Sequence, residues 1–137
     1  ELLATVDHLI VSERFARVLT GQPDGAKAAA SLGSPARKAV VVTCGGAGCW
    51  YLSGAESHLP GFFPAYSVEV LDTTGCGDVF HGAYAVALAE GRDLLDRLAF
   101  ASAAAALKAT RRGGQAGIPR RETVEAFLLG QRAMREE

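Results

Sequence analysis

Ala39-Val40-Val41-Val42-Thr43 is a run of small and β-branched residues with no polar alternation. A strand wetted on one side alternates apolar and polar residues. An unbroken run therefore predicts a strand covered on both faces, as in a parallel sheet flanked by helices. The neighbouring segments agree. Val6-Asp7-His8-Leu9-Ile10-Val11 reads as a strand with no lead-in helix, and Ser12-Glu13 opens a helix that puts Phe15, Val18 and Leu19 on one face and stops at Gly21. Asp24 caps a second, Ala-rich helix that runs to Leu32. Past Gly45, Gly46 and Gly48, Cys49-Trp50-Tyr51-Leu52 and a return strand ending in Val68-Glu69-Val70-Leu71 predict a hairpin. Strands alternating with helices define an α/β class.

Composition narrows the function. The 137 residues carry 14 basic and 15 acidic side chains, for a net charge of −1, and 49% are hydrophobic. Such a chain buries a core, and it lacks the positive field that holds nucleic acid or an anionic membrane. No apolar run approaches the ~20 residues of a membrane helix. The three cysteines, Cys44, Cys49 and Cys76, are too few for a disulfide framework, so a reducing cytoplasm is expected. Cys44 and Cys49 lack further ligands at zinc-like spacing, and His8 and His58 lie far apart, so no structural metal site is expected.

The second half carries the chemistry. Gly75-Cys76-Gly77-Asp78 leads into Val79–Ala89, apolar nearly all round and so predicted to be a buried helix stopped at Gly91. Asp93 caps a further helix to about Lys108, whose Ala101–Ala106 tract permits close packing, and Pro119 starts a last helix with Val124, Phe127 and Leu128 inward. Two glycines at a helix N-terminus leave unpaired N–H groups at the positive end of the macrodipole, where an anion binds. The plainer reading is a tight turn that Asp78 merely caps. No P-loop lysine follows, and Phe80 stands where a third dinucleotide-binding glycine would be, so a dehydrogenase-like domain with Asp96 as its acidic residue loses its main support.

Asp72-Thr73-Thr74-Gly75-Cys76-Gly77-Asp78-Val79-Phe80 resembles the second signature of the PfkB/ribokinase family of carbohydrate kinases, D-T-x-G-A-G-D-x-F. Thr43-Cys44-Gly45-Gly46-Ala47-Gly48 resembles the family's T-x-G-x-x-G segment, and Thr110 to Pro119 resembles its T-R-x-G-A-x-x-S-x-P loop. The resemblance implies a ribokinase-like α/β fold, a three-layer sandwich with a mostly parallel central sheet. Residues 1–137 would be the C-terminal ATP-binding and catalytic half, with the N-terminal half and the lid outside this sequence. The wording around Gly77–Ala85 is most similar to sulfofructose-kinase-like and ribokinase-like branches.

The resemblance also implies roles. Asp78 is the general base toward a sugar hydroxyl, and the N–H groups of Gly75, Cys76 and Gly77 form the anion hole. Thr43, Gly45, Gly48 and Ser102 contact the nucleotide, although Gly45 and Gly48 also suit a simple loop and Ser102 a packing position. Asp72, Thr74 and the carbonyls of Lys108, Arg111 and Gly113 match a monovalent cation site, usually for potassium; Gly117 replaces the family's serine there. Magnesium arrives with ATP, and the partners are ATP and a small sugar or sugar-like alcohol, with a homodimer of the full-length protein as a further implication. Ser12 and Phe15 stand where the family carries the Asn and Glu of N-x-x-E, leaving Glu13 as a water-mediated substitute and Phe15 for the core. Cys76 contributes either its backbone alone or a thiol activated by the helix N-terminus. His81 either packs or contacts substrate. The reading from another class is a non-catalytic nucleotide-binding module or inactive fragment, against which an intact Asp78 argues.

Overall fold

The computed structural model describes residues 2–54 and 59–134, so His58 lies outside the described residues. The chain divides into two compact units, Glu1–Ala65 and Tyr66–Glu137.

The first unit opens with a single 3-10 turn, Leu2–Thr5, where the sequence suggested no lead-in helix. It then runs β1 (His8–Ser12), α1 (Glu13–Thr20), α2 (Gly25–Leu32), β2 (Ala39–Thr43), β3 (Gly48–Ser53) and β4 (Gly61–Pro64). The strands form one sheet in the order β1-β2-β3-β4. β1 and β2 are parallel, with Ile10 opposite Val41, and β2–β3 and β3–β4 are antiparallel. The α/β class holds, with parallel pairing confined here to β1–β2 because β3 follows β2 through a short turn. Leu9, Val11, Val40, Val42 and Leu52 pack with Ala16, Ala28, Ala29 and Leu32 in one core. β2 is buried along its length up to Thr43, as its composition demands.

Two expectations change in this unit. The contact stripe of α1 runs through Ala16, its one buried residue, while Phe15, Val18 and Leu19 are 48%, 78% and 42% exposed. Ala16 lies about 100° around the helix from Phe15, and its small side chain lets α1 approach the alanines of α2 closely. Phe15 is therefore not a core residue. The return strand is Gly61–Pro64 rather than a segment ending at Leu71. Leu71 and Asp72 instead both donate their N–H groups to the carbonyl of Ala109, so no strand ladder forms there.

The second unit is helical: α3 (Cys76–Ala89), α4 (Leu94–Ala109) and α5 (Arg121–Ala133). Ala87, Phe100, Ala103, Ala104, Val124 and Leu128 form its core. Asp93 caps α4 through the N–H of Asp96 at 2.9 Å. α3 is not buried all round: Phe80, Tyr84 and Ala87 are inward, and Val86 is exposed. α5 starts at Arg121 rather than Pro119, because Arg120 is still extended (φ −78°, ψ 156°). Among the described residues no helix is long and apolar enough to cross a membrane.

Candidate active site

The turn before α3 is organised by Asp72. Its Oδ1 accepts the N–H of Thr74 at 2.9 Å, and its Oδ2 accepts the N–H of Gly113 at 2.8 Å. These contacts hold its carboxyl well below the usual carboxylate range: the Thr74 N–H contributes most, then the Thr74 hydroxyl, the Gly113 N–H and, last, the positive charge of Lys108. One side chain thus ties the turn to the loop after α4.

Gly75 closes the turn at φ +76°, a left-handed conformation that disfavours any side chain. Of the three amides expected to form an anion hole, that of Cys76 is already used, donating to the Thr73 carbonyl at 3.1 Å. This bond closes the four-residue turn. The N–H groups of Gly75, Gly77 and Asp78 have no acceptor among the described residues. Gly77 is helical rather than left-handed, and an added Cβ would meet nothing within 4 Å. Folding does not require a glycine there. An open cradle at the first turn of a 14-residue helix suits an anion, and here the residues fit a phosphate.

Asp78, the third residue of α3, is exposed and forms no cap hydrogen bond. The plainer reading, a capping carboxylate, is therefore set aside. With Thr74 and Gly75 it lines one part of a cavity of about 660 Å³, within the ~300–1,000 Å³ of small-molecule sites. Val79, Gly82, Ala83 and Val86 of α3, Phe100 and Ala104 of α4, and Ile118 and Pro119 supply apolar walls. Sequence reasoning did not anticipate Gln115 and Arg121 in this lining. Arg121 is steadied by Glu90, which also pairs with Arg92 at 2.9 Å.

Of the two roles expected of Cys76, its surroundings favour the backbone alone. Burial pushes its pKa up, and Lys108 only partly opposes this. The sulfur lies 4.0 Å from the Asp72 carbonyl. His81 bonds back along its own helix, Nδ1 lying 2.7 Å from the Gly77 carbonyl. Since a carbonyl only accepts, Nδ1 carries the proton.

The residues implied for a monovalent cation lie together, but a free ion does not fit them. Lys108, with 0% of its surface exposed, sends its ammonium into their midst. Nζ donates to the Asp72 carbonyl at 2.9 Å and the Arg111 carbonyl at 3.5 Å, with Asp72 Oδ2 at 3.8 Å. The carbonyl of Gly113 accepts the N–H of Gly117 at 3.2 Å, and that of Lys108 accepts the N–H of Arg111 at 3.0 Å. A buried ammonium costs several kcal/mol unless oxygen atoms surround it. The signal for this side chain was present in the sequence: Ala101, Ala104 and Lys108 fall on one helical stripe, and all three are buried.

Ser102 is buried on α4, half a turn away from Phe100 and Ala104, and does not line the cavity. In the first unit, Thr43 donates its hydroxyl to the Val11 carbonyl at 3.4 Å. Gly45, Gly46 and Ala47 form an exposed turn. Gly48 has a structural reason to be glycine, because its φ is +128° and a Cβ would lie 2.1 Å from the Phe63 carbonyl oxygen. Glu13 accepts the N–H of Gly25, the first residue of α2, at 3.0 Å, and Ser12 accepts that of Phe15 at 3.3 Å, capping α1.

The second unit thus brings together unengaged amides at the start of α3, an adjoining exposed carboxylate and a cavity of small-molecule size. Residues 1–121 match the sequence profile of the pfkB family carbohydrate kinases, and the chain belongs to that family. It is 45% identical to the ribokinase of Bacillus subtilis over 87 residues, 64% of this chain and 29% of that protein. The ribokinase of Thermotoga maritima is structurally similar with a TM-score of 0.79 at 39% identity, covering 89% of this chain and 42% of that one. Arabidopsis thaliana ribokinase complexed with ribose and ATP gives a TM-score of 0.81 at 34% identity, covering 93% and 42%. The chain thus spans 29% to 42% of the length of these relatives.

Proposed function

We propose that this chain is the ATP-binding and catalytic part of a sugar kinase, with ribose the first acceptor to test. The observation that carries the reading is the exposed Asp78 carboxylate beside the unengaged N–H groups of Gly75 and Gly77. In the reaction, the acceptor hydroxyl oxygen bonds to the γ-phosphorus as the bond from that phosphorus to the ADP oxygen breaks, and the hydroxyl proton passes to Asp78. In a loose transition state this proton moves late, so a carboxylate suffices as the base. The amides are oriented before reaction and aim at the charge on the migrating phosphoryl group. Magnesium bound to ATP would offset the charge of the phosphates. Thr43, Gly45 and Gly48 are assigned to the nucleotide by their match to the family segment, and Ser102 to the adenine side on the same ground. A cytoplasmic location and a homodimer of the full-length protein belong to the same proposal. Ribose is favoured because the relatives above are ribokinases.

The test is ADP release by the full-length protein on a panel of sugars including ribose and fructose. Asp78→Asn is expected to lower turnover by roughly 10²–10⁴ with ATP affinity retained, the usual worth of a positioned base. Turnover unchanged by that substitution would remove Asp78 from the chemistry. ATP binding with no turnover on any panel member would favour a non-catalytic nucleotide module.

A further inference from the structure

We infer that the Lys108 ammonium is a tethered replacement for a dissolved monovalent cation, a positioning group that holds the Asp72–Gly75 turn against the loop after α4. The turn's order is then independent of potassium. Three oxygen atoms from two segments, the carbonyl and carboxylate of Asp72 and the carbonyl of Arg111, gather on one fully buried nitrogen. That is an all-oxygen environment of the kind hard cations take, filled here from within the chain. Room for the lysine comes from Gly117, itself buried: a Cβ there would lie 3.2 Å from Lys108 Cε and 3.0 Å from the Gly113 carbonyl oxygen. Lysine at 108 and glycine at 117 are thus two halves of one arrangement. The charge reaches the phosphate cradle through Asp72, whose other carboxylate oxygen holds the N–H of Thr74, the residue before Gly75. The inference rests on the kinase reading only for what the cradle binds, and its test does not require turnover.

The full-length protein is melted, and its affinity for ATP measured, at constant ionic strength in potassium, ammonium or tetramethylammonium chloride. Tetramethylammonium is too large for the cage. The wild type is expected to melt alike in all three salts. Lys108→Ala empties the cage, so its melting temperature falls in tetramethylammonium and recovers saturably in potassium or ammonium. Its ATP affinity, where ATP binds, weakens roughly tenfold or more and recovers in parallel. Lys108→Met fills the space with an uncharged chain of similar length and is expected to show no recovery. A saturable, potassium-selective gain in the wild type would overturn the inference, and that measurement needs no variant. So would a Lys108→Ala protein that potassium neither stabilises nor refolds. If the salts behave as expected but no sugar is phosphorylated, the cation assignment stands and the kinase reading falls.

Discussion

Gly75 and Gly77, two residues apart, are expected to respond oppositely to alanine, and the contrast separates folding from ligand binding. Gly75 sits at φ +76°, where a Cβ costs about 1–2 kcal/mol. Gly75→Ala should therefore destabilise the protein by about that much. Gly77 is helical, and its Cβ would meet nothing within 4 Å. Alanine there restricts the unfolded chain and favours the helix, so Gly77→Ala should stabilise by about 0.5 kcal/mol, at the low end because it lies in the first turn. On the proposed reading the same methyl group would stand beside an N–H that holds a phosphate, and would crowd that bond. Losing one charge-assisted hydrogen bond, about 1.5–3 kcal/mol, should weaken ATP binding roughly ten- to hundredfold. Urea unfolding at unchanged slope reads the first effect, and titration with a fluorescent ATP analogue reads the second. A Gly77→Ala protein that is more stable and binds ATP as well as the wild type would place the phosphate elsewhere. A less stable one would refute the open space itself.

Asp72 stabilises the turn as a carboxylate, and its native pKa lies below its ordinary value of 3.8, so its contribution is present above about pH 4 and is lost as pH falls through the lowered native value. The gap in melting temperature between wild type and Asp72→Asn should be constant above pH 4 and narrow below it; a gap independent of acid would contradict the hydrogen bonds assigned to Asp72. Burial pushes Cys49 up to about 12 and Cys44 up to about 11, Glu13 adding to the latter, and raises Cys76 as well. A disulfide reagent at pH 8 should therefore label the native protein slowly and the urea-unfolded protein fast, and rapid native labelling at Cys76 would restore the activated thiol. Gly48→Ala, with its Cβ 2.1 Å from the Phe63 oxygen, should destabilise by more than about 1 kcal/mol; an unchanged urea midpoint would refute the close approach of β4.

Elements whose signals are local were legible from the residues alone. Ser12, Asp24 and Asp93 cap the helices that follow them, each through the N–H three residues on, and Gly21 ends α1 in the left-handed conformation. β2 is buried because its composition leaves it nowhere else to go. Signals that depend on a partner misled. Phe15, Val18 and Leu19 looked like a core face, yet α1 packs through Ala16 because only a small residue permits the approach to α2. Val68 to Leu71 has the residue types of a strand, but its end is held by the Ala109 carbonyl.

The same division runs through the site. Asp72 to Phe80 and Thr110 to Pro119 carry the family's pattern in their order, and a tight turn such as that at Gly75 demands particular residues at particular spacings. That pattern singled out Gly75, Gly77 and Asp78 as candidates. It could not say that the Cys76 amide closes the turn, that Gly48 answers to β4, or that the Lys108 ammonium meets the Asp72 carbonyl. Those facts depend on contacts between residues far apart in sequence. Whether a donor is free or a cage is filled follows from which atoms arrive beside it, and only the folded chain brings them together.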